Sequence, residues 1–209
     1  MKITRVIDAL VPSGTTTSYL TPAQLEALDA TYAHWVDASR GEKERMRRVR
    51  HRVIFLTLRY TGARLGEVLS IEDEVDVDFR NQELRVVNLK RHNPKRKGQK
   101  RQVPVPAVLI AEIARAWAEF PNLKGQLYRL DPSVVRKCFL KRCLETGIPR
   151  ELAHPHVLRH TRAIELLRAG VPVTAVQQLL GHAYLSTTAV YLVLSAQEVK
   201  EILRDKGLL

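Results

Sequence analysis

Cysteine is nearly missing from this chain: Cys138 and Cys143 are the whole supply among 209 residues. They fall five positions apart inside one predicted helix, poorly placed to bridge each other. That argues against a disulfide-stapled secreted scaffold, and the pair reads as reduced core thiols of a cytosolic protein. No cysteine and histidine spacing suits structural zinc. Long apolar runs are lacking too: none reaches the length needed to span a bilayer, and the amino terminus has no signal-peptide core. Internal repeats and low-complexity segments are absent. Acidic residues are in short supply, 22 against 34 lysines and arginines, which leaves a formal charge of +12. The two densest basic stretches lie near candidate catalytic residues, so the balance points to a polyanionic partner, nucleic acid ahead of a membrane surface. A merely basic soluble protein is the plainer alternative.

The length suits one domain with a real core and a short extra lobe, and is too small for two full domains. Residues 1–20, with Pro12, Ser13, Gly14 and a run of threonines, read as an arm or loop. Thr21, Pro22 and Gln24 form a helix start, and Leu25, Leu28, Tyr32 and Trp35 give the helix over 22–37 its apolar stripe. A second helix begins near Glu42 or Glu44 and runs to Tyr60; Gly62 breaks it, and Arg64 to Ser70 form another short helix. The period then changes. Val75 to Phe79, Glu83 to Leu89 and Gln102 to Val105 read as strands, with a long basic turn from Lys90 to Arg101. Pro104 and Pro106 put the third strand at an edge. Helices return over 107–119, 132–146, 155–169, 173–180, 187–193 and 196–205, with Gly147, Gly170 and Gly181 as stops. The fold class expected is mainly α with a small three-stranded antiparallel β-sheet.

The residues that carry chemistry are Arg64, His156, Arg159, His182 and Tyr191. His156 and Arg159 are three apart and share a helical face. An arginine fork pairs with phosphate oxygens and stays charged. A second fork from Arg64 would flank a pentavalent phosphorane with positive charge. Tyr191 offers a phenol that can attack phosphorus and form a phosphotyrosine. Its reference pKa near 10 calls for help from cations or a base. His182, directly after Gly181, can donate to a non-bridging oxygen, and His156 can do likewise or accept the tyrosine proton. A DNA 5′ hydroxyl leaves poorly unless protonated. Lys90, at the end of the second strand, is the choice of general acid, with Lys95, Lys97 and Lys100 as competitors. Glu67 braces Arg64. Each residue alone also has an ordinary explanation. Arg64 would be a surface ion pair, Tyr191 core between Val190 and Leu192, His156 a helix start, His182 a cap and Lys90 a solvated charge. His154 and His160 are left as capping or packing residues.

Taken together, Thr61-Gly62-Ala63-Arg64 with Glu67, then His156-Val157-Leu158-Arg159-His160-Thr161, then Leu179-Leu180-Gly181-His182, then Tyr191, resemble the tyrosine recombinase family, also called phage integrases. The resemblance covers about residues 20 to 205. It implies that Arg64 and Arg159 are the family's two arginines, His156 and His182 its histidines, Tyr191 the nucleophile and Lys90 the hairpin lysine. It also implies DNA strand transfer with no metal or nucleotide cofactor, the phosphotyrosine storing the cleaved linkage. Typical members carry an amino-terminal core-binding domain that completes a clamp around DNA. Here residues 1–20 are expected as an arm and 21–209 as the catalytic domain, without a full core-binding domain. The chain is thus similar to short members such as the fimbrial phase-variation invertases.

Three basic groups are candidates for DNA contact. The turn supplies Arg91, Lys95, Arg96, Lys97, Lys100 and Arg101 beside Lys90. The 132–146 helix supplies Arg136, Lys137, Lys141 and Arg142, the first two being candidates for base reading. The third is Arg45, Arg47, Arg48, Arg50 and Arg52. The first two groups would give mainly salt-sensitive, sequence-independent affinity. Val199, Ile202 and Leu203 form a tail stripe that packs at home or, by resemblance, on a neighbouring protomer. The expected partners are double-stranded DNA, further copies of the chain in a tetramer on paired sites, and a host DNA-bending protein, in a cytoplasmic, nucleoid-associated setting. The favoured function is a site-specific recombinase performing inversion, integration, excision or resolution. A non-catalytic accessory protein with the same fold and a topoisomerase-like nicking and closing enzyme remain as alternatives.

Overall fold

The computed structural model describes residues 19–89, 98–181 and Arg204. Helix α1 (Pro22–Asp37) begins at a capping box in which the Thr21 side chain and the Gln24 side chain each accept the other's backbone N–H. Its buried stripe is Leu25, Leu28, Tyr32 and Val36. The stripe packs on α2 (Glu42–Thr61), where Tyr32 stacks on Phe55 with ring centroids 4.4 Å apart and planes 6° from parallel. Such a pair adds about 0.5–1.5 kcal/mol to the area it buries. Phe55→Ala would cost roughly 3–5 kcal/mol through the cavity left behind.

The carboxy-terminal half of α2, from Val53 to Leu58, is buried on every side. It earns that position because it is apolar all round rather than striped. Around it pack α1, α3 (Leu65–Leu69), α5 (Ala107–Glu119), α6 (Pro132–Glu145) and α7 (His156–Arg168). Buried hydroxyls in this core are satisfied: Thr57 Oγ1 donates to Val53 O at 2.8 Å and lies 2.9 Å from Tyr128 Oη. A smaller apolar cluster, Ala163, Val176 and Leu180, joins α7 to α8 (Val173–Leu180).

The sheet has the order β1 (Val77–Asp78), β2 (Glu83–Val87), β3 (Lys100–Pro104), antiparallel throughout. Leu84, Val86 and Val103 turn one face to the core, and the edge position of β3 tolerates Pro104. The first strand is shorter than the sequence pattern predicts. Asp73–Asp76 instead form the helical turn α4, because their carboxylates offer the backbone better partners than a ladder would. Asp73 Oδ2 accepts from Trp117 Nε1 and Gly125 N, and Asp76 Oδ2 accepts from the Glu72 N–H. Short 3₁₀ turns at Pro121–Leu123 and Arg150–Leu152 were not anticipated. The helices expected over 187–193 and 196–205 lie outside the described residues, except that Arg204 is helical and exposed. No helix among the described residues is long and apolar enough to cross a membrane.

Candidate active site

Three chain breaks meet at one corner of the domain. Helix α2 stops at Gly62, which adopts the left-handed conformation with φ 60°. Helix α8 stops at Gly181, also left-handed with φ 68°. Helix α7 starts at His156 after Pro155. Glycine suits the first stop, since its φ is left-handed and a Cβ there would lie 2.5 Å from Leu180 Cδ2 and 3.3 Å from Arg162 Cβ. At Gly181 a Cβ would lie 2.9 Å from Asn88 Oδ1 and 3.0 Å from Arg101 Nη1. Read as a flexible break and a helix stop in the sequence, the two glycines are also points of close approach.

Arg159 joins the two helix ends. It is 3% exposed, its Nη1 donates to Gly62 O at 2.9 Å and its Nη2 to Leu180 O at 2.7 Å. Both acceptors are carbonyls at helix ends, which have no partner within their own helices. A guanidinium suits two such carbonyls from different elements, because its donors diverge in a plane and it is easier to desolvate than an ammonium. Arg64 lies two residues beyond Gly62, as the N-cap of α3. Its Nη1 donates to Glu67 Oε1 at 2.9 Å, its backbone N–H donates to Glu67 Oε2 at 3.1 Å, and its side chain stays 29% exposed. The brace expected from Glu67 is therefore present, from a carboxylate that is 1% exposed. Burial works to raise the Glu67 pKa. The charge and hydrogen bond of Arg101, then the N–H and charge of Arg64, outweigh it and hold the carboxyl below its usual range.

His156 stands one helical turn before Arg159, exposed at its outer edge, with its ring edge-on to His160 at 4.6 Å. Partial burial, followed by His160, Arg159, His154 and Arg64, pushes this imidazole down to about 4. The charges of both candidate arginines thus reach the same ring. At neutral pH it is uncharged and keeps one donor and one acceptor nitrogen. His160 is lowered as well, first by burial and then by Arg159 and His154. The corner accordingly offers two fixed cations and a neutral imidazole to a bound anion. Two surface grooves lie elsewhere, one lined by Asp37, Arg45, Arg52 and Glu112, the other by Leu25, Phe55, Tyr60 and Glu165.

Several expected DNA contacts are corrected by their surroundings. Arg101 is 9% exposed and donates to Glu67, Asn88 and Leu179, so it serves the interior. Arg142 is buried, pairs with Glu145 at 2.7 Å and lies 4.5 Å over the Trp35 ring. Lys100 Nζ pairs with the buried Asp76 Oδ1 at 2.7 Å, yet its side chain stays 36% exposed and open to a phosphate. In the third group Arg45 is paired with Glu119, Arg48 with Glu44, and Arg52 with Asp29, Arg50 donates to the carbonyls of Gln126, Leu127 and Arg129, and Arg47 stands exposed. Arg136, Lys137 and Lys141 do stand exposed on the outer face of α6. Lys90, Arg91, Lys95, Arg96, Lys97, His182 and Tyr191 lie outside the described residues. Asn88 and the interior role of Arg101 were missed. The signal for the latter was available, since Arg101 shares the phase of Val103 and Val105 in a period-two pattern and sits opposite buried Val86.

Comparison with known proteins places the chain in a lineage. The sequence model of the phage integrase family matches residues 19–198. A tyrosine recombinase XerC of Alcanivorax borkumensis is 33% identical over 190 residues, covering 85% of this chain and 58% of the relative. A tyrosine recombinase XerA of Pyrococcus furiosus is 32% identical over 171 residues, covering 78% of this chain and 56% of the relative. The chain therefore spans a little over half the length of these relatives. Among solved structures, the XerH site-specific recombinase bound to difH substrate in a pre-cleavage complex superposes with a TM-score of 0.72 at 21% identity, over 90% of this chain and 55% of that one. At that identity the likeness is one of fold. On the extent of the family match, this chain belongs to the phage integrase family.

Proposed function

We propose that the protein is a site-specific DNA recombinase that cleaves and rejoins DNA through a 3′-phosphotyrosine on Tyr191, and that residues 21–209 form its catalytic domain. The observation that carries the reading is the corner itself. Arg159 is tied to Gly62, two residues from Arg64, and to Leu180, two residues from His182.

In this reading the scissile phosphate is held between the two guanidinium groups. Tyr191 Oη attacks phosphorus, a new O–P bond forms and the P–O5′ bond breaks. The phenolic proton passes to a base, for which neutral His156 is the candidate. Lys90 supplies the proton that the departing 5′ oxygen takes up. Negative charge grows on the non-bridging oxygens, where preorganised cations act most strongly; His182 donates there too. A 5′ hydroxyl from another strand reverses the steps, so the linkage is conserved. The DNA is double-stranded, the working assembly is a tetramer on two paired sites, a host bending protein is a further partner, and the setting is cytoplasmic and nucleoid-associated.

The test is incubation with a pool of nicked suicide duplexes followed by a denaturing gel. A covalent protein–DNA adduct that disappears in Tyr191→Phe is the expected result. Binding without adduct would replace the reading with an accessory role, and relaxation of supercoiled DNA without recombinant junctions would replace it with nicking and closing.

A further inference from the structure

Arg101 is a charged side chain in the interior whose position the activity proposed above does not require. It enters from the edge strand β3 on the core-facing side of the sheet, opposite Val86. Its donors go to three different elements. Nε donates to Leu179 O at 2.8 Å, Nη1 to Asn88 Oδ1 at 2.8 Å and Nη2 to Glu67 Oε2 at 2.8 Å. The Leu179 carbonyl belongs to the last turn of α8, which has no basic residue of its own there. Glu67 is the carboxylate that also binds both the backbone and the side chain of Arg64. Asn88 ends the strand ladder, its N–H donating to Gln99 O and its carbonyl accepting from the Gly98 N–H. Gly181 makes room for this arrangement, since a Cβ there would press on Arg101 Nη1.

We infer that Arg101 is a positioning residue for DNA cleavage: one planar guanidinium fixes the Glu67 carboxylate that aims Arg64, and locks the end of β2 and the end of α8 to it. The inference rests on the recombinase reading for its catalytic consequence. The three contacts lead to chain segments that continue, by sequence, into candidate catalytic residues: Glu67 to Arg64, Asn88 to Lys90 two positions on, and Leu179 to His182 three positions on. A lysine cannot replace the fork, because a single ammonium on a flexible stem does not span three divergent acceptors. Loosening of the corner by about an ångström is enough to cost on the order of 10²-fold in rate. DNA affinity is a separate matter, since the side chain is 9% exposed and its donors are committed to protein oxygens.

The experiment compares wild type with Arg101→Lys and Arg101→Gln, each shown folded by its thermal melt. Single-turnover adduct formation is measured at saturating suicide DNA, and DNA affinity is measured across a salt series. Both variants are expected to lose about 10²-fold in cleavage while affinity and its salt slope stay within twofold of wild type. A reduced salt slope with cleavage per bound DNA unchanged would overturn the inference and return Arg101 to the list of phosphate contacts. A second readout works without any cleavage. In ¹⁵N spectra of the arginine side chains, Arg101→Lys is expected to shift and broaden the Arg64 signal, and an unperturbed Arg64 signal would refute the coupling. Were the wild type to form no adduct, the recombinase reading would fall, and the Arg64 signal would still decide the role of Arg101.

Discussion

The amino-terminal half of α2 and the outer face of α6 look alike in sequence, each a helix dense in arginine and lysine, yet they use their charge in opposite ways. On α2 most of the arginines are spoken for, Arg47 being the exposed exception. Arg52 is 14% exposed with Asp29 at 2.8 Å, Arg48 stacks on Trp35 and reaches Glu44, and Arg50 is spent on backbone carbonyls. On α6, Arg136, Lys137 and Lys141 are exposed beside Val134 and Leu144, while Arg142 one turn further in is buried. Positive charge per turn therefore does not locate a DNA surface. Charge left exposed after the protein's own acceptors have been served is what a polyanion can reach.

The sharpest way to break this contrast is at a cation with buried bonds to the protein's own carbonyls. Arg159→Ala strips two helix-end carbonyls of their donor in a buried setting, so stability should fall by roughly 3 kcal/mol. The melting temperature should drop by about 5–10 °C. An unchanged melt would mean that the Gly62 and Leu180 carbonyls do not depend on it. Next in size is His51, buried at 4% exposure on α2 and pushed down to about 4 by burial, then by Arg47, Arg50 and Arg142. Its folded pKa lies below the 6.5 of the free group, so the unfolded chain takes the proton first. Stability is then greatest above pH 6.5 and falls as pH drops from there towards 4, by at most about 3 kcal/mol. Urea titrations at pH 7 and pH 5 should show this loss, and His51→Gln should lessen it, the remainder coming from His156 and His160, which are lowered in the same direction. If the variant keeps the full slope, another group is responsible.

Arg52→Ala should cost about 1–2 kcal/mol, by losing a partly buried pair, with no change in DNA affinity. A weaker DNA complex would place α2 against the duplex after all. The smallest effect on folding belongs to Arg136→Ala, which should leave stability within about 0.5 kcal/mol. It should weaken DNA binding and lower the salt slope by about one. Equal slopes for Arg136→Ala and wild type would remove α6 from the interface.

Legibility from sequence followed the range of the interactions involved. Helix α1 was readable to the residue because its start rests on Thr21 and Gln24, three positions apart, and its stripe repeats every turn. The helix expected over 107–119 is found at Ala107–Glu119, with Leu109, Ile113 and Ala116 as its buried stripe. The strand expected from Val75 to Phe79 failed where side chains intervene, as Asp73 reaches Trp117, 44 positions away. Within the site, Arg64, His156 and Arg159 carried local motifs, and so did the Glu67 brace three residues from Arg64. Arg101 carried none, because its role is defined by Glu67, 34 positions back, and Leu179, 78 positions ahead. In isolation it was one more cation in a basic turn.

The most direct test of the whole account is the rate of adduct formation at saturating DNA in Arg64→Ala, whose guanidinium is held at the corner yet remains partly open to solvent. A loss of about 10²–10³-fold in adduct formed per bound DNA, with affinity close to wild type, is the result predicted. Adduct formation at the wild-type rate would contradict the claim that the two arginines serve a single phosphate.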